Sequence, residues 1–285
     1  MDIQNIRAFM MVSETSSFSR AAERLHLTQP AISKRIQAME LALDIPLFDR
    51  IGKSVQLTEA GRAIIPGCQR ILSDIEENQR IISNLRDSTR GQLSLATSHH
   101  IGLHRLPPVL RSFAKNYPEV ELNMHFLDSE TACEQVIHGN IELAIITLPE
   151  QPDERLSTQA VWQDPMQCVV SSSHDLASKQ KVTRQQLLTV PAILPTTGTT
   201  TRQLINQTLS LDENTKVLLE TSYLETIKAM IETGLGWGVL PASMLDDSLN
   251  VINLKNIKMQ RQLGVVTHKA RTRSSSANAL LKLLL

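Results

Sequence analysis

The chain has 285 residues, and 29 lysines and arginines balance 29 aspartates and glutamates, so its formal net charge is zero. This neutrality excludes a bulk basic protein that coats nucleic acid or an acidic membrane surface. The length suits two or three domains, and 41% apolar residues are enough for their cores. With no ordinary signal peptide, no long apolar run and three widely spaced cysteines (Cys68, Cys133, Cys168), the sequence predicts a reduced, cytoplasmic protein that does not span a membrane.

The sequence changes character near Arg90 and Gly91. The first ninety residues have an almost continuous helical pattern, whereas short β-branched runs alternate with helical segments afterwards, as in βαβ units on a parallel sheet. A polar, proline-bearing stretch at 148–157 favours two small sheets over one large sheet. Strands are predicted at 92–97, 120–126, 142–147, 167–171, 190–194, 216–220, 236–240 and 263–268, with helices at 106–117, 129–138, 200–209 and 222–232.

The segment from Ser17 to Glu40 predicts two helices joined by a short turn. Apolar residues at helical spacing indicate a first amphipathic helix, and Thr28 is a good N-cap for a second, whose first turn tolerates Pro30. The buried stripe of the second helix would be Ile32, Ile36 and Met39, which leaves Gln29, Ser33, Lys34, Arg35 and Gln37 exposed.

Two such helices have the geometry of a helix-turn-helix, whose second helix enters the major groove of DNA. Glutamine can pair with adenine through two hydrogen bonds, and serine, lysine and arginine suit base edges or phosphates. A solvated face of a helical bundle would show the same pattern. The helix pattern alone therefore leaves both interpretations open.

The next segment favours DNA binding. Short extended stretches at 47–50 and 55–58 predict a hairpin with Arg50 and Lys53 near its tip, which is a wing able to meet backbone phosphates or the minor groove. A long helix is predicted from Thr58 to Arg86. Its apolar stripe lacks a partner in its own segment and favours pairing with a second copy, which would present two recognition helices to a two-fold-related site. The stripe consists of Ile64, Cys68, Ile71, Ile75, Ile82 and Leu85.

These residues strongly resemble the DNA-binding domain of LysR-type transcriptional regulators. The match covers some sixty residues and extends with weaker motifs to the end of the chain. By this resemblance, Gln29, Pro30 and Ser33 face bases, Thr28, Lys34 and Arg35 mix base and phosphate contacts, and Arg50 and Lys53 belong to the wing. The matching residues are Ala21-Ala22, Leu27 to Ser33, Ile36, Glu40, Leu47-Phe48, Arg50, Leu57-Thr58 and Ala60-Gly61.

The resemblance also implies the architecture, which is of the α plus α/β class. A winged helix-turn-helix domain is expected at 1–58, a linker and dimerisation helix at 59–90, and a periplasmic-binding-protein-like effector domain at 91–285. The effector domain would have two α/β subdomains, 91–161 with 266–285, and 162–265. The resemblance further implies a tetramer of two dimers that bends DNA, and an effector bound between the subdomains.

A ligand of such a fold should bind at the carboxyl ends of strands, where helix N-termini point. Hydroxyls and free N–H groups in such places bind carboxylates or other small anions, although each serine or threonine there can equally be a helix cap. Together with the resemblance, this favours Ser98 and Thr197 as effector contacts, followed by His99, Thr147 and Thr196.

A metal site is one alternative for the sensor half, because His100 and His104 are spaced four residues apart and can share a helix face. No cysteine or carboxylate lies close in sequence to complete such a site. The sequence therefore predicts no metal and no other cofactor. His99 or His100 is preferred as a ligand contact, since a cationic imidazole would favour an anion and make binding sensitive to pH.

A redox switch is another alternative, because some members of the resembled family sense peroxide through a cysteine pair. Cys133 and Cys168 are expected on a helix and a strand of different subdomains. A disulfide would need their Cα atoms within about 7 Å, so buried structural thiols are preferred.

An enzyme or an exported solute-binding protein is the competing class. The sequence has no phosphate loop, no nucleophile elbow and no dinucleotide fingerprint after a strand, and an exported protein would need a signal sequence. The prediction is therefore a regulator that binds double-stranded DNA and a small, anionic effector, and is not an enzyme.

Overall fold

The computed structural model describes residues 2–51, 54–84, 89–213, 215–255 and 257–285, apart from the side chains of residues 50, 51, 54, 76 and 83. The chain divides into two compact units, one formed by Met1–Leu85 with His138–Asn140 and the other by Arg86–Ile137 with Ile141–Leu285. In these ranges we find no helix whose length and hydropathy would suit a bilayer crossing.

The first unit is a winged helix-turn-helix built on one apolar core. Phe9 of the first helix and Ile32 of the third are fully buried in it, and Phe48 of the hairpin packs against Phe9 with ring centroids 5.4 Å apart. Its elements are α1 (Ile3–Thr15), α2 (Phe18–Arg24), α3 (Gln29–Leu43), β1 (Phe48–Ile51), β2 (Ser54–Leu57) and α4 (Glu59–Asn84).

Side-chain hydrogen bonds fix the turns of this unit. The Thr28 hydroxyl accepts a hydrogen bond from the Ala31 amide at 3.4 Å, so Thr28 is the N-cap of α3, as the sequence predicts. The Glu40 carboxylate accepts from the amides of Leu47 and Phe48 at 2.7 and 3.3 Å. Glu40 therefore ties the start of the wing to α3.

The long helix α4 corrects one prediction. Its apolar stripe was expected to lack a partner in its own segment, but Cys68 is buried in the core of the winged helix-turn-helix and Ile64 packs against that core. Beyond this point Ile71, Ile81 and Ile82 are exposed. Only the second half of α4 therefore carries an uncovered apolar face, and Leu85 lies outside the described residues.

The second unit is an α/β domain in which the strands form one sheet. Its helices are α5 (His99–His104), α6 (Pro107–Asn116), α7 (Ser129–His138), α8 (Arg184–Leu188), α9 (Thr200–Leu209), α10 (Leu224–Glu232) and α11 (Ser275–Leu284). Its strands are β3 (Gly91–Thr97), β4 (Val120–Phe126), β5 (Leu143–Thr147), β6 (Leu156–Ser171), β7 (Ala192–Leu194), β8 (Val217–Glu220), β9 (Trp237–Pro241), β10 (Leu249–Val251) and β11 (Met259–His268). The hydrogen-bonded order of the sheet is β4-β3-β5-β11-β6-β9-β7-β8, with β10 on β6.

The expectation of two separate sheets is wrong, and two long strands are the reason. β6 has 16 residues and β11 has 10, and they pair antiparallel along the whole of β11. On one side of the pair, β11 is hydrogen-bonded to β5, which pairs with β3. On the other side, β6 is hydrogen-bonded to β9, which pairs with β7. The sheet is therefore continuous through both halves of the domain.

Each half nevertheless has its own helices on both faces of the sheet. In the first half, Leu95 and Ala96 of β3 point into different apolar clusters, and in the second half Ala192 and Ile193 of β7 do the same. The C-terminal α11 packs in the cluster of the first half through Leu280. Two three-layered halves thus share one sheet, with β6 and β11 as the shared strands.

Two glycines of α4 give a matched test of how closely this helix packs against Leu47 in the first unit. A Cβ at Gly61 would lie 2.3 Å from the Leu47 carbonyl oxygen, whereas one at Gly67 would meet nothing within 4 Å. We expect Gly61→Ala to lower the free energy of unfolding by about 1–3 kcal/mol. Gly67→Ala should raise it by about 0.5–1 kcal/mol, because alanine is the better helix former.

Urea unfolding of the full chain, followed by helical circular dichroism, measures both changes. A Gly61→Ala variant as stable as the Gly67→Ala variant would contradict the close approach of α4 to Leu47.

Candidate functional site

The first candidate site is the exposed face of α3. Gln29 and Lys34 are exposed, Ser33 is half-buried, and Ile32 and Ile36 are buried on the opposite side. The Gln29 amide donates to the Ser33 hydroxyl at 3.0 Å, so both lie on one side of the helix, one turn apart. This face also presents Pro30 in the exposed first turn.

The other predicted DNA contacts divide into two groups. Arg35 is half-buried, and its guanidinium donates to the Gln4 side chain at 3.3 Å, which holds it beside α1. The predicted hairpin is present, with Phe48 opposite Leu57 and Ile51 opposite Ser54. Lys53 and the side chain of Arg50 lie outside the described residues.

The second candidate site is a cleft of about 470 Å³ in the α/β domain. Residues at or just beyond the carboxyl ends of strands line it, as expected for ligand sites in open α/β sheets. Ser98 follows β3, Thr147 ends β5, and Thr196 follows β7. Both halves contribute to the lining, which includes Ser98, His99, His100, Phe126, Asp128, Glu130, Thr147, Thr196, Thr199, Thr200, Thr201, Glu220, Tyr223 and Arg261.

The structure distinguishes the predicted effector contacts from one another. Ser98, His99, Thr147 and Thr196 line the cleft. Thr197 does not line the cleft, and its hydroxyl and amide donate at 3.1 and 3.2 Å to the carboxylate of Glu220, which does line it.

The hydroxyls near the cleft also differ in how the fold uses them. Thr199 is the N-cap of α9, since its hydroxyl accepts from the Arg202 amide at 3.2 Å. Ser98 is the N-cap of α5 by position, but its side chain makes no capping hydrogen bond. The capping role therefore accounts for Thr199 and does not account for the hydroxyl of Ser98.

A buried guanidinium is the main feature of the cleft that the sequence analysis missed. Arg261 is 8% exposed, and its Nε donates to Asp164 Oδ2 at 2.7 Å while Nη1 donates to the Thr201 hydroxyl at 3.0 Å. Nη2 is buried and makes no hydrogen bond with the described residues. Arg261 thus has one unused donor in a cleft that it lines.

Two arginines lie close to one buried carboxylate in this cluster. Asp164 is 1% exposed and also faces Arg105, whose Nη2 lies 3.5 Å from Asp164 Oδ1. Burial lowers the pKa of Arg261, and the Asp164 carboxylate opposes that shift, so the guanidinium stays charged. Glu225 also acts on Arg261 electrostatically, so the case for an anion rests on the unpaired Nη2 atom and not on an excess of positive charge.

Sequence alternation carried a signal for Arg261. It lies on β11 with Met259 and Leu263, both buried, while Gln260 and Gln262 between them are exposed. An arginine in phase with apolar neighbours on a strand points inward and needs a partner. The strand was predicted to begin only at Leu263, and this start excluded Arg261 from the pattern.

The carboxylates of the cleft are already bonded within the protein. Glu130 of α7 accepts from the amide and hydroxyl of Thr200, both at 2.5 Å, and so occupies the N-terminus of α9. Glu220 pairs with Arg202 at 2.7 Å, and its pKa is lowered chiefly by that hydrogen bond. Glu130 therefore joins the two halves across the cleft.

Aromatic rings form one wall of the cleft. The His99 imidazole lies 5.0 Å from the Phe126 ring and 4.6 Å from the Tyr223 ring between centroids. Phe126 and Tyr223 are 46% and 50% exposed. Since aromatics make up only 3% of the chain, this exposed pair beside His99 marks a surface suited to a partly apolar ligand.

Comparison with protein families identifies both units. Residues 3–62 match the model of bacterial regulatory helix-turn-helix proteins of the lysR family. Residues 86–285 match the model of the LysR substrate binding domain. Together the two matches cover most of the chain.

Individual relatives agree with this assignment. Over 108 residues, which are 38% of this chain and 75% of the relative, the sequence is 60% identical to an HTH-type transcriptional regulator of Azotobacter vinelandii. Over 97% of this chain and 94% of the relative, it is 27% identical to a probable RuBisCO transcriptional regulator of Trieres chinensis.

Solved structures show the same fold. A full-length OxyR variant from Pseudomonas aeruginosa has a TM-score of 0.72 at 21% identity, covering 100% of this chain and 94% of its own. CbnR in complex with its target DNA has a TM-score of 0.69 at 18% identity, covering 100% and 99%.

The cysteines of the α/β domain lie in separate parts of the fold. Cys133 of α7 packs in an apolar cluster of the first half, and Cys168 of β6 is buried in one of the second half. Both are free thiols. Burial raises the pKa of Cys133 to about 11 and that of Cys168 to about 12, so little thiolate is present at neutral pH.

We therefore expect slow alkylation of these thiols in the native chain. At pH 7.5, a pKa raised from 9.0 to about 11 lowers the thiolate fraction about 100-fold. Iodoacetamide labelling read by mass spectrometry should be slower by at least this factor at Cys133 in the native than in the urea-unfolded chain. Equal labelling rates of Cys133 in the native and unfolded chain would contradict its placement in an apolar cluster and would favour a redox switch.

Proposed function

The chain belongs to the LysR family of bacterial transcriptional regulators, and on that basis we propose which residues read DNA and what kind of effector controls them. It is a DNA-binding regulator with an effector domain, and not an enzyme. The observation that supports these residue assignments is that the chain has both an exposed polar face on α3 and, in its α/β domain, a cleft lined by a guanidinium with an unused donor.

For DNA, we propose that α3 lies in the major groove. Gln29, Pro30 and Ser33 would face base edges, and Thr28, Lys34 and Arg35 would contact bases and phosphates. Gln29 can exchange its present bond to Ser33 for a bidentate pair with adenine. Arg50 and Lys53 would meet the backbone from the wing.

For assembly, we propose a homodimer through α4 and a tetramer of two dimers. The exposed side chains of Ile71, Ile81 and Ile82 give the second half of α4 an apolar face that a second copy would cover. Paired α3 helices would then recognise a two-fold-related site in double-stranded DNA. Since the target is chromosomal DNA, we place the protein in the cytoplasm.

For the effector, we propose a small molecule with an anionic group, bound between the two halves at 91–161 with 266–285 and at 162–265. Arg261 Nη2, the Ser98 hydroxyl and Thr147 would receive the anion. His99 and Thr196 would contact the rest of the molecule, beside Phe126 and Tyr223. Thr197, also predicted as an effector contact, would take part through Glu220, to which its hydroxyl donates.

This charge pattern also limits the effector. Asp128, Glu130 and Glu220 line the cleft together with Arg261. These carboxylates would repel a molecule that carries several negative charges. A molecule with a single acidic group for Arg261 and hydrogen-bond donors for the carboxylates would suit the cleft. Because the halves would close around it, effector binding would favour one domain arrangement and so change how the α3 helices are presented.

A gel-shift titration of the full chain tests the proposed function. The probe is DNA from immediately upstream of its own locus, with scrambled DNA of equal length as the control. We expect a specific complex whose affinity changes with a small acid selected by thermal shift. No preference for the upstream DNA, with or without such acids, would overturn the proposal.

Two substitutions separate base reading from phosphate contact. Gln29→Ala should weaken specific binding by about 1–3 kcal/mol through the lost base contact and leave non-specific binding nearly unchanged. Lys53→Ala should weaken both and reduce the slope of affinity against salt concentration by about one ion. Fluorescence anisotropy at several salt concentrations measures both, and equal effects of the two substitutions would contradict these roles.

Substitutions that remove two hydroxyls, those of Ser98 and Thr199, distinguish ligand binding from helix capping. Ser98→Ala should weaken binding of the selected acid by about 1.5–3 kcal/mol, since it removes a hydrogen bond to a charged group, and should leave the unfolding temperature unchanged. Thr199→Ala should instead destabilise the domain by about 0.5–2 kcal/mol through the lost cap. Calorimetric titration and thermal unfolding measure the pair. Unchanged acid affinity in Ser98→Ala would exclude Ser98 as a ligand contact.

A further inference from the structure

Two histidines and a carboxylate meet beside the cleft. His100 and His104 lie one turn apart on α5, and Glu225 comes from the first turn of α10. Glu225 Oε1 is 3.2 Å from His104 Nε2 and 3.7 Å from His100 Nδ1, and one potential ligand atom from each residue lies within 4.8 Å of the other two. Among the described residues, no other group of three histidine, cysteine or acidic side chains converges in this way.

The surroundings of His100 give a second observation that points to a ligand at this cluster. Its side chain is 3% exposed, yet neither ring nitrogen makes a hydrogen bond with the described residues. An imidazole without a hydrogen bond in the protein interior is costly, because both nitrogens lose their water. A bound cation at the point where His100, His104 and Glu225 converge would satisfy it.

The geometry fits a transition metal. A tetrahedral ion with ligands at about 2.0–2.1 Å keeps its ligand atoms about 3.3 Å apart. Two of the three separations, 3.2 and 3.7 Å, are close to this value, and the third is within 4.8 Å. Two imidazoles and a carboxylate are a ligand set of zinc sites that keep an open position, and His104 and Glu225 are exposed enough to admit the ion and a water.

We propose that His100, His104 and Glu225 bind one divalent first-row transition metal ion, with Zn²⁺ as the representative. The sequence lacked a nearby carboxylate for the histidine pair, and the fold supplies it from a helix 121 residues away. The site goes beyond the proposed regulation by an anionic effector, since the proposed anion contacts are Arg261, Ser98 and Thr147, and it assigns His100, which the sequence favoured as an effector contact, to the metal.

The ion would connect the two halves of the effector domain. α5 packs with the first half through Ile101, and α10 packs with the second half through Ile227. Binding His100 and His104 on one side and Glu225 on the other would hold the halves together at the edge of the cleft. Given the closure around the effector proposed above, the metal would favour the same arrangement of the halves.

Metal binding is tested on the tag-free, full-length chain after treatment with a chelator, without DNA or effector. Co²⁺ is titrated first, because its visible absorption reports coordination by imidazole and carboxylate, and Zn²⁺ is then added as a competitor. We expect one Co²⁺ per protomer with an intense visible band, displaced by one Zn²⁺.

Substitutions at the partly exposed ligands assign the site without disturbing buried His100. His104→Gln and Glu225→Gln should each weaken Zn²⁺ affinity at least tenfold and reduce the Co²⁺ band. The matched controls His125→Gln and Glu121→Gln, on the exposed side of β4, should bind as the wild type does. Thermal unfolding confirms that all four variants fold.

Two results would overturn this proposal. One is the absence of a Co²⁺ band in the wild-type chain, and the other is unchanged Zn²⁺ affinity in both His104→Gln and Glu225→Gln. Because DNA binding is not part of the measurement, either result leaves the proposed regulatory function intact.

Discussion

A buried ion pair lies between the two strands on which the effector domain depends. Asp164 of β6 and Arg261 of β11 are direct cross-strand partners, and both side chains are more than nine-tenths buried. A buried pair of this kind is retained at a cost in desolvation, so its position calls for a reason. The reason lies in the position of the pair. β6 and β11 are the strands that both halves share, and Arg261 lines the cleft between the two halves.

The proposed control of DNA binding by an effector is based on this ion pair. The guanidinium held by Asp164 keeps its Nη2 nitrogen free, so the proposed anion would complete a network that already reaches both halves. Glu130 bridges the halves through Thr200 near the same cleft, and His104 faces Glu225 across its edge. Under the proposed function, ligands bound at these points would act on the relation between the two halves, which would be the two-state element that couples the cleft to DNA binding.

The sequence predicted the elements that local signals determine. Strand β4 and helices α7 and α9 have the predicted bounds, because β-branched alternation, caps and helical spacing are all local. It failed where partners are distant in sequence. The two-sheet prediction did not recognise that β6 begins at Leu156, Arg261 lay just outside the predicted strand, and Glu225 joins His104 only through the tertiary fold. The wing was found, but Lys53 lies outside the described residues.

The central claim is that the anion site at Arg261 is coupled to DNA binding, and one measurement tests it directly. The affinity of the full chain for its upstream DNA is measured with and without the selected acid, in the wild type and in Arg261→Lys, which keeps the charge beside Asp164 but loses the planar fork. The account predicts that Arg261→Lys binds DNA as the wild type does and no longer responds to the acid. An unchanged response in Arg261→Lys would contradict it.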